Sequence, residues 1–214
     1  MTDTVGDVIV TGQRRPAGSS EPFPKDEPVI VNGPVDPNDA TIGEESTTVQ
    51  EQQCAIPKNR KIWDADARAA QGVKDFMTYS AGQNIFGREH QAYIRFNGTQ
   101  MELGNISVGP VPQPGQTPYV SPNITGITGA NWMGDVHTHV STIGQPSQED
   151  INDFNMWYDQ AVAAGRTDLA DVAMYIAVRD SSAPDGYRIY AYTKTSDPNV
   201  NGREVDPNGQ PCPA

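Results

Sequence analysis

The chain is short of positive charge, cysteine, histidine and long apolar runs, and each shortage removes a class of function. It carries 15 Lys and Arg against 27 Asp and Glu in 214 residues, for a formal net charge of −12 and a pI near 4.5. An acidic surface repels phosphate backbones, so no nucleic-acid partner is expected. Cysteine occurs twice, as Cys54 and Cys212. Neither has a companion at zinc-ligand spacing, and the Cys-x-x-Cys of zinc deaminases is missing. The two cysteines bracket the central region. They form either a bridge or two unpaired thiols; a bridge closing so long a loop is worth roughly 4–5 kcal/mol in the chain-entropy model. No apolar stretch is long enough to span a bilayer, so no membrane partner is expected. The start, Met1-Thr-Asp-Thr-Val-Gly-Asp7, has neither the basic nor the apolar region of an ordinary signal peptide. The expected location is cytoplasmic, or outside the cell by a specialised secretion system.

Apolar residues make up only 36% of the chain, and the mean hydropathy is −0.57. Those values predict that part of the chain is poorly packed. Residues 1–58 are the candidate, being rich in Pro, Gly, Ser, Thr, Asp and Glu. Two apolar islands interrupt them, Val8-Ile-Val10 and Val29-Ile-Val31, readable as short strands or as sticky points of a flexible arm. A central domain is expected over 59–195 and a tail without regular structure over 196–214.

Within the central domain, Ile62, Asp66, Ala69, Val73, Phe76 and Met77 recur at helical spacing, which predicts an amphipathic helix over 62–80, slightly weakened by Gly72. Residues 89–96 alternate, Asn97-Gly98 is a strong hairpin signal, and Thr99–Val108 reads as the return strand. Five prolines make 109–123 an irregular loop. Residues 130–138 read as a strand. Ser147 caps a helix whose apolar face holds Ile151, Phe154, Trp157, Tyr158, Ala161 and Val162, and Gly165 stops it. Residues 172–178 and 187–192 are two more strands, joined through the Asp185-Gly186 turn. The order predicts an α/β fold, a mixed sheet with flanking helices.

Of three histidines, two stand one residue apart, in Asp135-Val-His-Thr-His-Val-Ser-Thr-Ile-Gly-Gln-Pro-Ser-Gln-Glu-Asp150. In a strand, alternate side chains share a face, so His137 and His139 point the same way. Two imidazoles so placed can bind one zinc ion, with Asp150 as third ligand and the fourth position left to water. Each piece also has an ordinary reading. Ser147 with an acid three residues on is a helix cap, and a bare His-x-His pair can be two strand histidines facing solvent. The joint spacing favours the metal. Asp135 shares His137's face, either as a partner supporting that imidazole or as a solvated carboxylate. His90 reads as a surface residue, and Trp132 as core or pocket wall.

The spacing His137-Thr138-His139, seven residues, Ser147, two residues, Asp150 resembles the JAMM signature of JAB/MPN-domain zinc metallopeptidases. One departure is visible: Val140 stands where that family often has proline. The resemblance covers about residues 60–195, and implies one zinc per chain held by His137, His139 and Asp150. It also implies an upstream glutamate acting as acid and base, and Ser147 steadying the oxyanion. Glu89 is preferred for the glutamate. It lies at the mouth of the predicted hairpin, 137 − 89 = 48 residues before His137; Glu102 is the rival. The implied activity is hydrolysis of an amide or isopeptide bond in a protein or peptide. The likeness is greatest to JAB-like domains of bacterial polymorphic and RHS-type toxin systems, which implies an effector or processing protease with an immunity or carrier protein as partner. The alternative is a non-catalytic MPN-like scaffold that binds a protein. Substrate choice is expected to lie in loops 109–130 and 140–146.

Overall fold

The computed structural model describes residues 57–80 and 84–212. All belong to the second of the chain's two units, Ser46–Ala214. The expectations for the N-terminal arm, its two Val-Ile-Val islands and Cys54 lie outside the described residues.

Helix α1 runs from Pro57 to Tyr79. It starts earlier than its apolar pattern predicts because proline suits the first helical position, where its missing N–H would have no partner anyway. Ala65, Ala69, Ala70, Val73 and Phe76 are its buried face. Gly72 does not act as a weak point. A Cβ there would stand 2.8 Å from Val136 Cγ1 and 3.2 Å from Leu103, so the missing side chain lets helix and sheet approach.

A 3₁₀ turn, Ile85–Gly87, leads through Arg88 and Glu89 into β1, His90–Phe96. The return arm breaks into β2, Met101–Leu103, and β3, Ser107–Val108, both antiparallel to β1. Strand β4 is Trp132–Thr138, with all seven residues buried. Helix α2, Gln148–Ala163, follows, then β5, Ala173–Arg179, and β6, Tyr187–Thr193. Strand β7, Arg203–Val205, lies in the tail that was expected to be unstructured. Three residues are too short for a periodic signal. Tertiary contacts hold them: Val205 is buried, and Arg203 makes a two-pronged pair with Asp66 of α1 at 2.7 and 2.8 Å. Cys212 is buried too and is disulfide-bonded.

The sheet order is β2-β1-β4-β5-β6-β7, with β3 beside β2 on β1. Four neighbouring pairs along this path are antiparallel, and β4–β5 is parallel. A parallel pair needs a crossover, and α2 supplies it. The predicted α/β class with a mixed sheet and flanking helices therefore holds. On α2, Phe154, Trp157 and Ala161 are buried, but Val162 is 53% exposed and lies off the apolar face assigned to it.

Two consequences position the site. The β4–α2 connection brings the start of α2 beside the carboxyl end of β4, where open α/β sheets bind ligands. Because β1 is antiparallel to β4, its first residues lie beside that same end. Gln91 pairs with His137, and the register carried two residues further sets Glu89 opposite His139.

Candidate metal centre

Strand alternation puts His137 and His139 on one face, and both are buried, at 4% and 8% exposure. Seven residues later Ser147 begins α2. Its backbone is extended, and its hydroxyl accepts the Asp150 N–H at 3.2 Å; Asp150 Oδ2 accepts the Ser147 N–H at 2.7 Å. That reciprocal pair is a capping box. It fixes the rotamer of Asp150 so that its carboxylate faces the histidines.

His137 Nε2 and His139 Nε2 stand 3.3 Å apart. Asp150 Oδ2 lies 3.2 Å from His139 Nε2, and Oδ1 lies 3.6 Å from His137 Nε2. One ligand atom from each of the three residues falls within 4.8 Å of the others. This His-His-Asp group can hold a metal ion.

The other face of each imidazole is committed. His139 Nδ1 donates to the Ile143 carbonyl at 3.0 Å, and a carbonyl can only accept. His137 Nδ1 lies 2.9 Å from Asp135 Oδ2. Asp135 is 2% exposed, so the solvated reading of this residue fails. It stands behind the His137 imidazole, where a carboxylate fixes the tautomer and raises the basicity of Nε2. With both Nδ1 atoms protonated, two Nε2 lone pairs point at one spot.

Electrostatics agree with that geometry. Burial alone would lower the pKa of His137, but the Asp150 charge and the hydrogen bonds to Asp135 and Asp150 outweigh it and raise it well above 6.5. Asp150 is pushed up by burial yet held far below the usual carboxylate range by His137 and His139.

Glu89 lines the same cleft as His137, His139, Ser147 and Asp150. Burial pushes its carboxyl above the ordinary value, against the pull of the two histidines. Glu102 is elsewhere, at the far end of β1, where Arg95 and Asn97 hold it. Ser147 is exposed at the rim. The cleft is about 600 Å³, and residues 117–120 of the proline-rich loop form one wall.

Two residues differ from the sequence expectation or were missed by it. His90 is not on the surface. It is 0% exposed, sits 5.6 Å from the Phe76 ring, and bonds Ser80 Oγ at 2.6 Å. Its burial follows from strand parity, since Glu89 and Gln91 face the cleft and His90 must face α1. Asp153 was not singled out. It lines the cleft one turn beyond Asp150 and accepts from Tyr93 at 2.9 Å, while Trp157 Nε1 donates to that same hydroxyl at 2.8 Å. The i+3 spacing from Asp150 was the available signal. Trp132 is core, at 0% exposure.

No family model, curated protein or solved structure matches this chain.

Proposed function

We propose that the chain is a zinc-dependent metallopeptidase or isopeptidase of the JAB/MPN type. One observation carries this reading: two buried imidazole Nε2 atoms face each other 3.3 Å apart, with both opposite nitrogens engaged and a carboxylate alongside. Two lone pairs so placed repel unless a cation lies between them. Zinc fits. For Zn–N and Zn–O bonds of about 2.0–2.1 Å, tetrahedral ligand atoms stand roughly 3.3 Å apart; the two Nε2 atoms are 3.3 Å apart, and the Asp150 carboxylate comes within 3.2 Å of His139 through Oδ2 and 3.6 Å of His137 through Oδ1. Nitrogen and carboxylate donors with no sulfur also suit a catalytic rather than a structural site.

When bound, zinc supplies Lewis acidity, which makes water a nucleophile at neutral pH and polarises a carbonyl oxygen. The protein's own groups do the rest. Glu89, held across from His139, accepts a proton from the attacking water and returns it to the leaving amine. Its raised pKa suits both halves of that task. Ser147 Oγ spends a lone pair on the Asp150 N–H, and its own hydrogen is free to donate to the oxyanion. Asp135 keeps His137 in the metal-binding tautomer. The peptide substrate of this reading would lie in the cleft, which has Tyr119 and Val120 on one wall. A place in a bacterial toxin system, with an immunity or carrier protein as partner, belongs to this proposal on the strength of the motif alone.

The second reading is a protein-binding scaffold with a vestigial site. It is disfavoured because the groups behind the ligands, Asp135 and the Ile143 carbonyl, are in place along with the ligands themselves. The deciding experiment pairs elemental analysis with a proteome-wide survey of new protein termini and released conjugates in cells expressing wild type or Glu89→Gln. Expected are one zinc per chain in both proteins and cleavage products with wild type only. Protein that takes up no zinc even after reconstitution ends the metallopeptidase reading. Zinc in both proteins with identical proteomes supports the scaffold.

A further inference from the structure

The hydroxyl of Thr138 has no role in ligation, since the residue between His137 and His139 points to the opposite side of the sheet. It is 0% exposed. Its Oγ1 accepts the His90 N–H at 2.9 Å. It also lies 3.3 Å from the Ile85 carbonyl and 3.4 Å from the Arg88 carbonyl, one of which receives its single hydrogen. One buried hydroxyl thus ties β4 to the turn on either side of Glu89. His90 reinforces the tie. Its Nδ1 approaches the Arg88 carbonyl at 3.3 Å, which leaves Nε2 to accept from Ser80 Oγ. On the β3 side, in line with the β1–β3 register, the Glu89 carbonyl accepts the Gly109 N–H at 2.8 Å. Glu89 belongs to neither helix nor strand. Its backbone is fixed by these bonds.

We propose that Thr138 is a positioning residue: its hydroxyl, acting through His90 and the 85–88 turn, holds the Glu89 carboxylate in register with the ligand histidines. The inference rests on Glu89 being the acid and base of the proposed reaction. The chemistry demands such a device. A general base must sit within hydrogen-bond reach of the proton it takes, and an error of about 1 Å is enough to cost 10²-fold in rate. His137 and His139 are fixed by β4, so a bond from that strand to Glu89's segment sets the distance between ligands and base. A side chain that is valine-like on one branch and hydrogen-bonding on the other fits a buried strand position facing backbone groups.

The test compares Thr138→Val, which deletes the hydroxyl and keeps the shape, with Thr138→Ser, which keeps the hydroxyl. Three readouts need no substrate: zinc content, amide exchange at His90, and the carboxyl titration of Glu89 followed by NMR in metal-free protein. Thr138→Val should hold zinc as wild type does. Its His90 amide should exchange roughly tenfold faster or more, from loss of one buried acceptor, and the Glu89 titration should move away from its wild-type midpoint as its segment loosens. Thr138→Ser should restore both values. The proposal is overturned if Thr138→Val keeps the wild-type His90 protection and Glu89 titration, or if Thr138→Ser behaves like Thr138→Val, which would make the methyl the cause. If valine blocks folding, Thr138→Ala deletes the same hydroxyl without adding apolar bulk, and is read the same way. Wild type that binds no zinc would end the peptidase reading, yet exchange and titration would still decide whether Thr138 places Glu89.

Discussion

Asp150 uses one oxygen twice: Oδ2 accepts the Ser147 N–H at 2.7 Å and faces His139 Nε2 at 3.2 Å. The helix cap and the proposed ligand are therefore one arrangement, and the ordinary reading of Ser147 and Asp150 does not compete with the functional one. The seven-residue gap after His139 is the loop that turns the chain from the end of β4 to the start of α2. The two residues between Ser147 and Asp150 are the spacing of a capping box.

Separate substitutions should split the two roles. Ser147→Ala removes the cap acceptor and should lower stability by about 1 kcal/mol, with zinc content unchanged. Asp150→Ala removes the cap partner and the proposed third ligand, and should lose most of the metal besides. Chemical denaturation and elemental analysis on the same preparations check both. A Ser147→Ala protein devoid of zinc would show that the cap, not the carboxylate, organises the site.

Asp135 offers a sharper test, because it touches no metal. Replacing it with Asn leaves size and burial nearly unchanged but removes the charge behind His137. Outer partners of ligand imidazoles are typically worth 10–100-fold in metal affinity, so Asp135→Asn should weaken zinc binding by that factor in a chelator competition assay. Unchanged affinity would mean that the 2.9 Å contact to His137 is structural only.

How much of this was legible in the sequence differs from residue to residue. The strand with the histidines and the helix capped by Ser147 were visible, because strand parity, apolar spacing and a capping residue are all local signals. Glu89 was legible as a hairpin position, but its closeness to His139 depends on the antiparallel β1–β4 pairing, which no local pattern encodes. Asp135 had the right parity and an undecidable environment, since burial is a property of the whole sheet. His90 failed for that reason as well: its parity said only that it opposes Glu89, and the helix covering that face comes from a distant segment. Strand β7 was invisible because Val205 and Arg203 are fixed by partners far away in sequence.

Gly109 should be intolerant of any side chain, although loops usually accept substitution. A Cβ there would stand 2.0 Å from the Tyr119 carbonyl oxygen and 3.4 Å from that of Glu89. The strap 117–120 that walls the cleft thus lies against the segment bearing Glu89. Gly109→Ala should leave zinc content intact, displace the strap, and lower cleavage of whatever substrate the proteome survey reveals. The expected kinetic form is a raised KM together with a reduced kcat, because wall and base move together. An unchanged KM and kcat would show that the strap is not part of the site.

The pH dependence of stability should reverse when zinc is added. In metal-free protein His137 has a raised folded pKa, so its contribution is complete below its ordinary 6.5 and is lost as pH rises through the higher folded value. Asp150 has a depressed folded pKa, so its contribution is present above its ordinary 3.8 and is lost as pH falls through the lower folded value. From this pair, metal-free protein should be most stable between about pH 4 and pH 6.5. Zinc needs neutral imidazoles and an ionised carboxylate, so it competes with the proton on His137, and its binding should release protons at neutral pH. The rise in Tm on adding zinc should then be small near pH 5.5 and grow steadily towards pH 8. Melting curves in chelator and in zinc across that range give the answer directly. A zinc-induced rise in Tm that stays constant from pH 5.5 to 8 would show that the metal does not bind through His137.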